Sequence, residues 1–234
     1  KNIYQNFEDL NFKQNDFTNY KIIKHYILKE NFTNNSMIWD IHSFNFLLFF
    51  KKIGGKKGIN LSKKNIFEWF KKYKYYKGFP WINDFSSKRF INILYSYDFI
   101  CSTSSEKEIK HLNHILNFHV DRIMFDIKRK KIEDISSFDI LAFVLIEFIN
   151  KNFNKHSYIN IIEIINSQID ENAMHKSYNI LEHSKFINNL NEVKNILLFF
   201  KFDSSELLNN KILAMTSLLN TYKHNDLSLP LFNG

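Results

Sequence analysis

The chain has 234 residues, 44% apolar and 24% charged, enough to bury a core and too apolar for a disordered tail. Five Gly and two Pro are too few for the hairpin turns of a many-stranded sandwich or barrel, and the lone Cys101 excludes an internal disulfide framework or a thiolate zinc cluster. The net charge of +8 invites a polyanion, but 29 Lys, 31 Asn and 32 Ile against three Ala and three Arg are what AT-rich codons produce, so charge alone assigns no partner.

Helical periodicity then runs along the chain. Helices are predicted over 20–28 and 41–50, followed by a break over 51–60, where Gly54, Gly55 and Gly58 stand among lysines. Ile66, Trp69, Phe70 and Tyr73 follow at i, i+3, i+4, i+7 behind Ser62 as N-cap, with Gly78 and Pro80 as stop signals. Phe90, Ile93, Leu94 and Tyr97 repeat the pattern behind Ser86 and Ser87. Ser105 and Glu108 have capping-box spacing ahead of a helix of about five turns through Leu112, Leu116, Val120 and Ile123. Further helices carry Phe138 to Leu145, Ile161 to Ile165, Phe186 to Phe200, and Leu208 to Leu219, the last behind Asp203 and Glu206. About nine helices with short polar loops give an all-α fold. No apolar run reaches the roughly 18 to 20 residues of a membrane span, since Asn45 and Glu147 interrupt the most apolar stretches. The chain opens on Lys1 rather than Met, and 224–234 reads as extended chain leading to a further domain.

Three groups of residues exceed what packing requires. Trp39 and His42 lie i, i+3 on one helical face, a stacking platform beside an imidazole that suits a sugar ring. Trp81 and Arg89 form the second group; Arg89 is expected to pair with a carboxylate, either Asp84 or that of a substrate. The third runs from Gln168 to His183 and contains His175, Tyr178, Asn179 and Glu182. His175, Asn179 and His183 share a face if a helix starts at His175, and His, Tyr and Asn together can bind a carboxylate and move a proton. Two histidines eight apart without a third ligand are a poor zinc signal, so no metal is expected. The lysine run at 70–77, with its interleaved tyrosines, reads as a solvated helix end, so no nucleic-acid partner is expected.

In this order, over 37–234, the three groups resemble the N-terminal helical region of the heparinase II/III-like polysaccharide lyases, in the form common in alphaproteobacteria. Trp39, His42, Phe44 and Leu47 match a Trp-x-x-His-x-Phe-x-Trp-Leu segment, with Phe46 replacing the second Trp. Trp81, Asp84 and Arg89 match a Trp-x-Pro-Asp followed by an Arg-led helix. Gln168, Ile169, His175, Ser177 and Asn179 match a Gln-Ile-Leu-x-Asp-Gly-Gly-His-x-Ser-Arg-Asn run. Met215, His224, Asp226, Leu229, Leu231, Phe232, Asn233 and Gly234 follow the family's closing order.

The resemblance implies an incomplete toroid of α-helical hairpins forming one domain over 1–234, and a C-terminal β-sandwich after Gly234. It implies β-elimination on a uronate-containing acidic polysaccharide in a bacterium, cytoplasmic or periplasmic, with no cofactor in this domain. His175 and Asn179 would sit at the carboxylate with Tyr178 as a further catalytic group, while Trp39, His42, Trp81, Arg89 and His183 would bind substrate. The chain departs from the family at Asn172-Ala173-Met174, where the family has Asp-Gly-Gly. It departs again at Tyr178 in place of Arg and at Glu182 in place of a catalytic Tyr. It also lacks, over 137–148, the Asn-His pair of the best-studied lyases. A helical carbohydrate-binding or scaffold domain without lyase activity is the alternative.

Overall fold

The computed structural model describes residues 35–82, 84–202 and 205–224. The helix expected over 20–28, the Met37 side chain, Asp203 of the expected cap with Glu206, and Asp226, Leu229, Leu231, Phe232, Asn233 and Gly234 lie outside the described residues. The described residues form ten α-helices and two short 3-10 turns, with one isolated bridge and no strand, so the fold is all-α. No described helix is long and apolar enough to cross a membrane. The chain divides into two compact units, Lys1–Arg122 and Ile123–Gly234.

The first unit contains α1 (Asn35–Ser43), α2 (Phe46–Ile53), α3 (Gly55–Tyr73), a 3-10 turn (Phe79–Trp81), α4 (Phe85–Tyr95), α5 (Tyr97–Cys101) and most of α6 (Glu106–Arg129). The single helix expected over 41–50 is in fact two, broken at Phe44, whose φ is 64°. Side-chain amides satisfy the break: Asn92 donates to the Ser43 carbonyl at 2.8 Å and Asn45 donates to Asp40 at 2.8 Å. The loop expected over 51–60 shrinks to Gly54, whose φ of 69° turns the chain directly from α2 into α3. Gly58 is needed for a different reason. A Cβ there would lie 2.3 Å from the Phe50 carbonyl oxygen, so only glycine lets α3 pack this closely on α2. Ser62 is a buried residue of α3, bonding the Gly58 carbonyl at 2.9 Å, and caps nothing.

The expected capping box of α6 is present, with Glu108 accepting from the Ser105 N–H at 2.8 Å. α1 packs on α4, and α2 on α3 and α4. Phe44, Phe46, Phe50, Ile66, Trp69, Phe85 and Phe90 are buried in this unit.

In the second unit α7 (Ser137–Ile149), α8 (Lys155–Gln168), α9 (Ile180–Phe199) and α10 (Ser205–Thr221) follow a second 3-10 turn (Ile132–Asp134). α9 packs against α7 and α10, and Leu190, Val193 and Leu197 of its apolar period are buried, as are Leu141 of α7 and Met215 of α10. α7, α8 and α9 each start on a polar cap. Ser136 and Asp139 make a capping box for α7, Asn154 caps α8, and Asn179 caps α9. α9 therefore begins six residues ahead of Phe186, the first apolar position of its expected pattern.

Candidate functional site

The sequence-predicted residues fall into two clusters, one in each unit. In the first unit Arg89 is fully buried at the centre of an aromatic shell. Its Cζ lies 4.1 Å from the Trp69 ring centroid and 4.6 Å from that of Trp81. Nη1 donates to the carbonyls of His42 (2.7 Å) and Pro80 (2.8 Å), and Nε donates to His119 Nε2 (2.8 Å). The expected carboxylate pair is absent: Asp84 pairs with Lys88 at 2.9 Å, and no carboxylate meets Arg89 among the described residues. Geometry explains this. Arg89 and Asp84 are five apart at the start of α4, while Lys88 is the i+4 neighbour of Asp84.

His42 is buried and accepts at Nδ1 from Trp69 Nε1 (3.0 Å), which puts its proton on Nε2. His119, unmarked in the sequence reading, accepts from Arg89 and donates through Nδ1 to the Ile115 carbonyl at 2.8 Å. Burial, reinforced by the Arg89 charge, lowers the pKa of His42 to about 4 and that of His119 to about 3. Burial also pulls the Arg89 pKa well down, with Arg122 adding to it. Trp81 is buried with its N–H on the Tyr73 carbonyl at 2.6 Å. Trp39 alone of this group is open, 39% exposed, against Phe85 and Phe79. The signal for His119 was its i+3, i+4 register with the apolar face of α6, where a polar residue needs a partner.

The second cluster is a tight turn ahead of α9. Ile169 and His175 form an antiparallel bridge, and Asp170 Oδ1 accepts from the N–H groups of Asn172 (3.0 Å) and Met174 (2.8 Å). Gln168 anchors the turn by donating to the Ile135 carbonyl. His175, Asn179 and His183 do not share a helical face, because α9 starts only at Ile180. His175 and His183 meet through the turn, while Asn179 caps α9. The His175 N–H donates to His183 Nδ1 (3.1 Å), and His183, itself fully buried, donates through Nε2 to the Met215 carbonyl at 3.0 Å.

The Ser177 N–H donates to His175 Nδ1 at 3.2 Å, with the Ser177 hydroxyl at 2.8 Å, so the neutral imidazole carries its proton on Nε2. Burial lowers the His175 pKa, aided by His183 and opposed by Glu182. Asn179 Oδ1 accepts from Leu181 (2.9 Å) and Glu182 (3.2 Å), which commits its oxygen to the cap. Tyr178 is 66% exposed, with a φ of 51°. Left-handed backbone at a bulky residue carries about 1–3 kcal/mol of strain, and such positions concentrate at functional sites. Ala173 is also left-handed, φ 62°. Ala173→Gly is expected to raise stability by about 0.5–1 kcal/mol in urea unfolding, by relieving that conformation; a loss would show the turn to be relaxed around alanine.

Among the described residues no group of three or more His, Cys, Asp and Glu side chains could hold a metal ion. The chain was compared with protein families, curated proteins and solved structures, and nothing matches it in any of the three.

Proposed function

We propose that the chain is the helical domain, an incomplete toroid of α-helical hairpins, of a heparinase II/III-like lyase that cleaves a uronate-containing acidic polysaccharide by β-elimination. The observation that carries this reading is the 168–179 turn. It holds a neutral imidazole with its N–H on Nε2, and an exposed tyrosine on strained backbone, just ahead of a twenty-residue helix. The left-handed Ala173 supports it too, because it stands where the family keeps a glycine.

In β-elimination a base takes the proton beside the uronate carboxylate. The electron pair closes a carbon–carbon double bond, the glycosidic carbon–oxygen bond breaks, and the leaving oxygen takes a proton. His175 Nε2–H and the Asn179 side-chain amide N–H are the donors assigned to the carboxylate, where they stabilise the enolate-like charge. Asn179 can do this while its oxygen caps α9. Tyr178 is assigned to the leaving oxygen, and the base to the C-terminal domain that the family resemblance implies.

The full-length protein given alginate, chondroitin or heparin is expected to release unsaturated products that absorb in the ultraviolet. Tyr178→Phe is expected to lower kcat about 10²-fold or more. His175→Ala combined with Asn179→Asp, which preserves the cap, is expected to abolish turnover. Turnover unchanged in both variants removes the site, and no product from any uronate polymer removes the activity.

One observation favours a second reading, a helical carbohydrate-binding or scaffold domain without catalysis. Glu182, at the position of the family's catalytic Tyr, is engaged with Lys185 at 2.7 Å. Oligouronide binding without any turnover in the full-length protein would select it.

A further inference from the structure

Codon pressure acts on a whole gene, and its marks are even here: the first unit has 15 Asn and 15 Ile, the second 16 and 17. The charge is not even. The first unit holds 20 basic against 11 acidic residues, the second 12 against 13, so the first unit carries +9 and the second −1. The excess of basic charge thus does not follow the even Asn and Ile bias but concentrates in the first unit.

It is displayed along α3. Lys57, Lys64 and Lys71 are all exposed and lie seven residues apart. On an α-helix that interval returns to nearly the same face, drifting about 20° per step, and advances about 10.5 Å. The three lysines thus make a row about 21 Å long on the side opposite the buried Ile59, Ile66 and Trp69. Exposed Lys56 flanks its start, and exposed Lys74 and Lys77 continue beyond its end.

Among the described residues one carboxylate pairs with it, Glu68, 3.9 Å from Lys64 with both side chains open to solvent, a pair worth little and easily exchanged. Two other carboxylates of the first unit are engaged with lysines outside the row: Glu108 with Lys63 at 2.8 Å and Asp84 with Lys88 at 2.9 Å.

We propose that this lysine row on α3 is a docking track for an extended acidic polysaccharide. The occupant rests on the lyase reading above; the track itself rests on the charge. A row of point charges without a planar donor reads the spacing of anionic groups along a chain and nothing finer. Single-stranded nucleic acid would need stacking platforms between the lysines. The row offers only Phe67, half-buried against the His111 ring at 4.7 Å. Beyond its end Tyr76 is already stacked on Phe118 at 4.3 Å, which leaves Tyr75.

The test replaces three exposed charges without touching the core: Lys57→Gln, Lys64→Gln and Lys71→Gln together. A control makes the same change in the second unit at exposed Lys151, Lys155 and Lys201. Binding of defined-length alginate oligomers to the full chain is titrated at several salt concentrations, with circular dichroism confirming the helix content of each variant. The α3 variant is expected to bind at least tenfold more weakly, with a shallower dependence of log Kd on log salt by about 2. The control variant is expected to match the parent. Equal weakening in both variants, or none in either, overturns the track. Tighter binding of duplex DNA than of alginate at equal salt overturns the occupant. Track binding that persists in a protein with no lyase turnover would sink the catalytic proposal and leave this one standing.

Discussion

Replacing Arg89 with alanine is expected to lower stability by about 3–5 kcal/mol, or to prevent the first unit from folding. The guanidinium fills the space beside two indoles, and its donors satisfy the carbonyls of His42 and Pro80 and the acceptor nitrogen of His119. Alanine opens a cavity and strands three buried acceptors at once, each of which costs about 1–3 kcal/mol unpaired. Arg89→Met fills the cavity and removes a buried charge, so it should lose less, but the acceptors stay unpaired. Arg89→Lys keeps the charge, yet a single ammonium lacks the fork that reaches carbonyls and imidazole together. The expected order of stability is parent, then Met and Lys, then Ala. All three tryptophans of the chain, Trp39, Trp69 and Trp81, lie in this unit, so urea unfolding followed by tryptophan fluorescence reads it selectively. A parental midpoint for Arg89→Ala would show that these bonds do not hold the cluster together.

The same cluster is expected to make the first unit acid-sensitive well before its carboxylates titrate. His42 and His119 are held neutral, at about 4 and about 3, where an unfolded imidazole titrates near 6.5. Above pH 6.5 neither state carries the proton and stability is unaffected. As pH falls below 6.5 the unfolded chain takes up protons that the folded one refuses, so stability drops until the folded values are reached. Between pH 6.5 and pH 4 His42 loses about 3 kcal/mol and His119 a comparable amount, with His119 continuing to lose stability down to about pH 3. Urea midpoints are expected to fall steadily from pH 7 to pH 4. His42→Gln keeps an acceptor for Trp69 but cannot titrate, and should roughly halve that slope. An unchanged slope would place the acid sensitivity elsewhere.

Much of this architecture was legible in residue order. The 3.6 period of Leu190, Val193 and Leu197, and of Ile66, Trp69 and Phe70, reports burial because a helix repeats its face at that interval. The Ser105 and Glu108 box was legible because capping is a contact between residues three apart. The loop expected over 51–60 was a misreading of glycine: Gly58 serves close packing against Phe50, a partner eight residues away, while the left-handed Gly54 and Gly55 turn the chain. The shared face expected for His175, Asn179 and His183 was lost because Asn179 is itself the cap, so the helix could not begin earlier.

The sequence by itself determined the helical class, the apolar faces and the residues that exceed packing needs, since these follow from contacts within one or two turns. It also held the uneven charge, though that became visible only once the boundary at Arg122 divided the chain. The tertiary structure decided the use of each polar group. Arg89 found carbonyls and an imidazole instead of Asp84, and His183 found Met215, thirty-two residues away. Lys57, Lys64 and Lys71 were left on the surface without a buried partner. A buried donor must be satisfied by whatever acceptor packing brings near, and packing joins segments whose separation the local sequence does not encode.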